Sequence, residues 1–574
     1  MVTYSCNSLI LGDDNMLDFA KDKTLWERVR VSEEFSQHRK EIEELYKKAF
    51  QTEPRPHSVE EVLINEGRGD GLWRLQFDQL QSSALMALIY PDNEEYYLNL
   101  LRTVWAYLNE YTWAPLGHYT EHYYQRTPRD FDYGLLDIFA CSVAFSLAEV
   151  KNLFKDRFPK LLTDRITYEI RRRTIEPYQT RKFFWESHDN NWTAVCSGAV
   201  GSVLIYEAPE LYYENQQRIH DSISHYLDSY KDDGMCVEGV GYWYFGFGFL
   251  ASFAMLEREL TGGEVDLFRN EKVKEISKFL QKTFLQRDVL LTFSDSSVNQ
   301  AYFFALPHML RQVYGEEIEK LPRKLGSVVY DNTHFNFALR SVIYFSEDNI
   351  SDDIRTNVTY TSPNSCYFIK RTEGYGFATK GGNNGESHNH IDVGAFILAK
   401  GNKQIISDVG AGPYEDGYHT DRRYTFFNPS AYAHSIPVIN GCAEDDVRRD
   451  DVVVHYDREQ DRAYMDIACA YGQDFIRSVK REFFFTDTTV RLRDTLTLTK
   501  EAELKERFIS IIRPKIEDGR VTIDGAELIN EQGIIPTVTV KELKTHLADG
   551  TYNAYIIEYT APRGVSEFTL TFKL

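Results

Sequence analysis

The feature that most constrains this chain is a change of hydrophobic period near residues 351–365. Before it, in EEFSQHRKEIEELYKKAF, NEEYYLNLLRTVWAYLNEYTW, YGLLDIFACSVAFSLAEVKNLF and GYWYFGFGFLASFAMLEREL, apolar residues recur at helical spacing. Several of these segments are apolar on more than one face, as expected of inner helices in a layered ring. After the polar stretch SDDIRTNVTYTSPNS the runs are short and alternate: CYFIKR, GAFILAK, KQIISDV, SVKREFFFT, TTVRLRDTLTL and SEFTLTFKL. Period-two alternation with turn residues between runs marks antiparallel strands. The expected architecture is therefore a helical domain over 1–355 followed by an antiparallel β-sandwich domain over 356–574. A length of 574 residues fits two cores better than one. No repeat of fixed period runs through the helical part, which argues against a solenoid.

Charge narrows the partners. The chain carries 65 Lys and Arg against 87 Asp and Glu, a net charge of −22. Such a balance disfavours non-specific binding to nucleic acid or to an anionic membrane, but a local basic patch can still take an anionic substrate. The seven cysteines are scattered and form no CxxC pair, which reads as reduced thiols. The start, MVTYSCNSLILGDDNMLDFAKDK, has no basic opening and only a short apolar run. The expectation is a cytoplasmic protein with no signal peptide and no membrane span. Oligomeric state is not legible.

Four segments can carry chemistry. In ESHNHIDVGAFIL, QIISDVGAGPY and SAYAHSIPVING, His388, His390, Asp408 and His434 stand among apolar runs. Alternating His-x-His on a strand sends both imidazoles to one face. Two His and one carboxylate with a water suit Zn²⁺, leaving one His for catalysis. Asn389 and Asp392 are candidates for fixing the imidazole tautomers. The loop between these runs holds Tyr414, Tyr418 and Tyr424, with Arg422 and Arg423 as a basic pair suited to a carboxylate or sulfate.

The second segment, WESHDNNWTAVCSG, places Asn190, Asn191 and Trp192 at the start of an apolar helix. One reading is an N-cap. The other is an amide that grips a substrate carboxylate and stabilises a developing oxyanion. The third, DDGMCVEGVGYWYFGFGF, carries Glu238 and the aromatic group Tyr242, Trp243 and Tyr244. It is either a core stripe or a Tyr hydroxyl aimed at substrate as general acid or base. The fourth, YTWAPLGHYTEHYY, offers Trp113 for sugar stacking and His118 beside it.

Taken together, WAPLGH, DYGLLDIFA, DNNWTAVCSG, DGMCVEGVGYWYFG, ESHNHIDVGAFIL, IISDVGAGPY, RRYTFF and SAYAHSIPVING resemble the heparinase II/III-like polysaccharide lyases, over most of the chain and in the family's order. The resemblance implies an incomplete (α/α) toroid followed by an antiparallel β-sandwich. It implies β-elimination at a uronic acid, giving 4,5-unsaturated products. Matched by motif, Asn190 or Asn191 neutralises the uronate carboxylate and Tyr242 or Tyr244 is the catalytic Tyr. His388 is the catalytic His, and Tyr418 or Tyr424 a second catalytic Tyr. Trp113, His118, Trp192, Glu238, Arg422 and Arg423 fall to substrate binding, and His390, Asp408 and His434 to zinc. No nucleotide or redox cofactor is expected, since the chain has neither a P-loop nor a dinucleotide fingerprint.

The segment Asn191-Trp192, where many members carry His, and Ser435 after the last ligand, where Asn is common, leave the sugar open among glycosaminoglycan, alginate and other uronates. An alternative is a glycoside hydrolase on an (α/α) toroid, which needs two carboxylates. Asp189, Glu238 and Asp295 are its candidates. A non-catalytic carbohydrate-binding or zinc-stabilised scaffold is a third reading.

Overall fold

A computed structural model describes residues 18–64, 71–115, 118, 135–329, 334–415, 417–418, 420–546 and 550–574. Residues 1–17, which hold Cys6 and most of the amino-terminal segment MVTYSCNSLILGDDNMLDFAKDK, and the stretch between WAPLGH and DYGLLDIFA lie outside the described residues.

Helices occupy the first part, ending with Phe335–Ile343, and strands the part from Val358 onward. At the centre of the helical part is Asn191–Glu207, buried along almost its whole length. It packs against Ile138–Phe154, Pro209–Ser229 and Gly248–Leu260. Glycines set the closest of these approaches. A Cβ at Gly198 would lie 2.8 Å from the Phe249 carbonyl oxygen, and one at Gly201 would lie 2.5 Å from the Phe253 ring. The outer helix Ser36–Ala49 instead buries one stripe, with His38, Ile42, Leu45, Tyr46 and Ala49 inward. Among the described residues no helix is long and apolar enough to cross a membrane.

Two short ribbons interrupt the helical part where the sequence reading had only helix. Phe284–Gln286 pairs antiparallel with Val289–Leu290, and Tyr302–Phe303 pairs parallel with Gly326–Ser327. Between them runs Ser294-Asp295-Ser296, whose short polar side chains compete with helical backbone bonding.

The strand part has three sheets rather than a simple pair. Five strands, Val358–Ser362, Tyr367–Arg371, Gly376–Lys380, Phe396–Lys400 and Lys403–Ile406, lie antiparallel in chain order. An eight-stranded antiparallel sheet is drawn from strands between His455 and Lys573. The third sheet runs in the order Val438–Ile439, Leu504–Ser510, Thr551–Ala561, Thr537–Lys544. All three contribute to one apolar core, with Phe377 and Phe396 from the first, Phe483 and Phe572 from the second, and Phe508 from the third. The first and third meet where the Ser407 N–H donates to the Ile509 carbonyl, 2.8 Å.

The three inner strands of the five-stranded sheet, Tyr367–Arg371, Gly376–Lys380 and Phe396–Lys400, are buried on both faces. Phe368, Phe377 and Leu398 point into the sandwich core, while Ile369, Ala378 and Ile397 join the helical core. Buried Arg371 ties the halves, with Nε donating to the Phe284 carbonyl at 2.7 Å and Nη2 to that of Gln281 at 2.8 Å. A Cβ at Gly376 would fall 1.9 Å from the Leu285 carbonyl oxygen, so only glycine allows this contact.

Candidate active site

The loop around Asp295 is where helical and β parts meet around chemistry-bearing side chains. Its backbone is unusual. Ser294 has φ +62°, a left-handed conformation that costs energy for a residue with a Cβ. The neighbouring chain closes on it tightly. A Cβ at Gly239 would lie 2.5 Å from Ser296 Oγ, and one at Gly410 would lie 2.1 Å from the Ser296 carbonyl oxygen. The Ala411 N–H donates to that carbonyl, 2.9 Å, and the Val240 N–H to Ser296 Oγ, 3.2 Å.

Asp295 is buried and has four partners. His388 Nδ1 lies 2.9 Å from Oδ2. Oδ1 is 3.1 Å from His390 Nε2, 3.1 Å from the Tyr418 hydroxyl and 2.8 Å from Arg423 Nη2. Burial alone would raise this carboxyl. Hydrogen bonds from His388 and His390 and the Arg423 charge outweigh it, holding Asp295 well below the usual carboxylate range. Arg423 also bonds the Asn389 and His388 carbonyls, both at 3.1 Å. Its guanidinium is therefore engaged inside the protein, not presented to substrate as the basic pair had implied. Arg422 stays exposed.

His388 and His390 do not lie on a strand. They occupy a loop before Phe396–Lys400, with His388 at φ +54°, and both rings reach the same carboxylate. Nor do Asn389 and Asp392 orient the imidazoles. Both are taken by buried Lys380, whose Nζ is 2.9 Å from Asn389 Oδ1 and 2.8 Å from Asp392 Oδ1. The carboxylate that contacts both rings is Asp295, which the sequence offers only as a hydrolase candidate.

The Tyr242 ring stacks on His388, centroids 3.9 Å apart. Its hydroxyl is 2.9 Å from that of Tyr414. Burial first, then the Asp295 charge, push the Tyr242 phenol well above its usual range, so it is protonated at neutral pH. Tyr244 faces the other way, since two residues of helix turn the side chain through roughly 200°. It is buried in the helical core against Trp243 and Phe303, its hydroxyl 3.4 Å from the Phe303 carbonyl. The two tyrosines therefore stand in different surroundings, Tyr242 against His388 and Tyr244 in the helical core. Tyr418 is bound to Asp295, and the Tyr424 hydroxyl lies 3.5 Å from the Asn384 and Asn389 carbonyls. His546 packs edge-on against Tyr414, centroids 4.6 Å apart, with Nδ1 2.8 Å from the Gly412 carbonyl. Neither Tyr414 as the partner of Tyr242 nor His546 carried a sequence signal.

The two asparagines also divide. Asn190 is the N-cap of the helix Asn191–Glu207, and its Oδ1 accepts the Trp192 N–H at 3.1 Å. Asn191 is buried and donates one amide N–H to Glu238 Oε2, 3.3 Å. Glu238 thus holds an amide. A Cβ at Gly246 would come within 3.2 Å of Asn191 Cβ, so the turn carrying Tyr242 closes directly on this amide. Trp192 packs beside His118 at 5.1 Å, and His118 Nδ1 is 2.6 Å from Asp137 Oδ2. Trp113 is corrected from a stacking platform to a core residue. It is 2 % exposed, its Nε1 donates to the Tyr107 carbonyl and Arg173 covers its ring.

A second group adjoins the first. Donor atoms of His390, Asp408 and His434 lie within 4.8 Å of one another, all buried. His434 Nδ1 is 3.0 Å from Asp408 Oδ2, and Asp408 Oδ1 accepts the Gly410 N–H at 2.8 Å. His390 Nδ1 and His434 Nε2 are buried without a hydrogen-bond partner. Two orphaned imidazole nitrogens beside a carboxylate are costly without a ligand, and a metal ion fits them. Cys141, Cys196, Cys236, Cys366, Cys442 and Cys469 are free thiols away from this group.

No protein-family model matches the chain, and no curated protein matches its sequence. Solved structures share its fold. A crystal structure of heparinase III superposes with a TM-score of 0.59 at 12% identity, covering 88% of this chain and 76% of that one. A mutant heparan sulfate lyase from Pedobacter heparinus gives 0.55 at 13% identity, covering 96% and 93%. The Streptomyces coelicolor chondroitin AC lyase in complex with chondroitin sulphate gives 0.56 at 10% identity, covering 97% and 82%. At such identities the likeness is one of fold, a helical toroid followed by a β-sandwich.

Proposed function

We propose that this chain is a polysaccharide or oligosaccharide lyase that cleaves the 4-O-glycosidic bond to a uronic acid by β-elimination. The observation that carries the reading is the stack of His388 on Tyr242, with the Asn191 amide held by Glu238 next to the same turn. Elimination needs three things: neutralisation of the carboxylate next to C5, a base for the C5 proton, and an acid for the leaving O4.

Asn191 serves the first. One N–H goes to Glu238 and the second donates to the uronate carboxylate as negative charge develops there. An amide does this without adding a charge of its own. His388 takes the C5 proton. The C5–H electrons form the C4–C5 double bond as the C4–O4 bond breaks. Tyr242, kept protonated by its surroundings, delivers its proton to O4 and is reprotonated through the Tyr414 hydroxyl, while His388 releases the C5 proton to solvent. The proton lost from C5 thereby balances the one gained by the leaving group. Trp192 and His118 line the helical side for sugar contacts.

His390, Asp408 and His434 would hold a zinc ion, which supplies a fixed positive charge bracing the β side of the site. The fold neighbours include proteins acting on heparan and chondroitin, which supports a glycosaminoglycan-type oligosaccharide. An alginate-type uronate is the alternative.

A hydrolase fits the residues less well. Its acid must stay protonated, whereas Asp295 is held ionised by four partners, and Asp189 is exposed on the helix-capping turn. The test is ultraviolet absorbance of 4,5-unsaturated uronate on heparan, hyaluronan, chondroitin and alginate oligosaccharides. A rise on one of them supports the lyase and names its sugar. Cleavage without absorbance refutes it.

A further inference from the structure

Asp295 reaches the site from the helical part, yet every side chain it binds belongs to the β part. His388, His390, Tyr418 and Arg423 are 93, 95, 123 and 128 residues away in sequence. Three independent features hold it there. The backbone before it is in a left-handed conformation at Ser294. Gly239 and Gly410 admit the loop with no room for a Cβ. Ser294 Oγ and Ser296 Oγ bond back to Val237 and Val240. Strain of this kind persists only where the surroundings over-determine a position.

We propose that Asp295 is the positioning residue of the reaction, setting the tautomer and ring orientation of His388. With Oδ2 at 2.9 Å, the His388 proton resides on Nδ1, and the basic lone pair is on Nε2. Oδ1 is meanwhile occupied by Arg423, Tyr418 and His390, so the carboxylate cannot rotate away or take the proton itself. A carboxylate behind an imidazole in this way selects the productive tautomer and stabilises the imidazolium once the proton has moved. The same oxygen pair fixes His390, so the loop bearing both imidazoles is registered against the helical part by one side chain. A purely structural Asp295 would cost stability when replaced but leave the His388 tautomer and the rate per folded molecule alone.

The kinetic consequence rests on the lyase reading; the tautomer does not. Two measurements on the full chain therefore separate the two ideas. In Asp295→Asn, kcat falls by about a hundredfold or more, with KM within about threefold of wild type, because substrate-gripping Asn191 is untouched. Nitrogen-15 NMR of labelled histidine, assigned with His388→Gln, shows wild-type His388 protonated at Nδ1 and not at Nε2. A variant kcat within threefold of wild type, or a loss confined to KM, overturns the proposal. So does a wild-type His388 protonated at Nε2 alone. Should Asp295→Asn fail to fold, or should wild type turn over no uronate, the wild-type tautomer still decides.

Discussion

The two sides of the site hold their working groups in different ways. On the helical side, Asn191 sits in the first turn of a helix and Tyr242 at the start of the turn leading into Gly248–Leu260. Helical backbone fixes their positions, and single polar contacts, to Glu238 and to Tyr414, finish the job. On the β side, His388 and His390 lie in a loop with no ladder of backbone bonds. There the fixing is ionic: Asp295 and Arg423 on one flank, Lys380 and Asp392 on the other. A side chain on a regular element inherits its geometry. One on a loop must be positioned by its neighbours, and buried charges do so with the stiffest directional bonds available.

That contrast predicts different failures on the two sides. The largest effect belongs to Tyr242→Phe, which removes the proposed proton donor and lowers kcat by about 10²–10⁴ with folding intact. Tyr244→Phe, two residues on, keeps wild-type kinetics. Equal losses in the two variants would break the assignment. On the β side, Lys380→Met leaves Asp392 charged and unpaired in the interior and costs about 3–5 kcal/mol, read by chemical denaturation. A smaller cost than that of exposed ion pairs would show that the ionic framework is not what holds the loop.

Next comes Asn191→Ala, lowering kcat/KM by about 10²–10³. Asn190→Ala by contrast loses a cap worth about 1 kcal/mol and keeps its rate. Chelation followed by thermal unfolding tests the metal group, since an ion bound only by the folded state raises Tm by mass action. Tm drops with chelator and recovers with zinc if His390, Asp408 and His434 hold it; an unchanged Tm argues against a bound ion.

A separate effect is on pH dependence. Burial pushes Glu444 up to about 8, from 4.5. Its contribution to stability is therefore complete below about 4.5 and lost as pH rises through about 8. Glu444→Gln flattens that decline between pH 5 and 8. A variant as steep as wild type would place the titration elsewhere.

Much of this was legible in the chain. The period change at 351–365 separates helices from strands because buried faces impose 3.6 and 2 on the sequence. Residue type offered His388, His390, Asp408 and His434 for a metal, and the family resemblance picked out His390, Asp408 and His434. Other parts were hidden for physical reasons. The junction of the first and third sheets depends on Ser407 meeting Ile509, a contact across 102 residues that leaves no local pattern. Asp295 lies in a Ser-rich turn that looks like any loop, and its partners are more than 90 residues away. Trp113 beside a Pro-containing turn looked exposed, and only tertiary packing under Arg173 buries it. Arg423 looked like a substrate cation until its carboxylate was in view.

The most direct test of the central claim is to run the reaction in oxygen-18 water and weigh the products. Elimination predicts two fragments whose masses sum to that of the substrate, with no label and an unsaturated uronate on one of them. Incorporation of one labelled oxygen at the new reducing end, with saturated products, would contradict the account and make the chain a hydrolase.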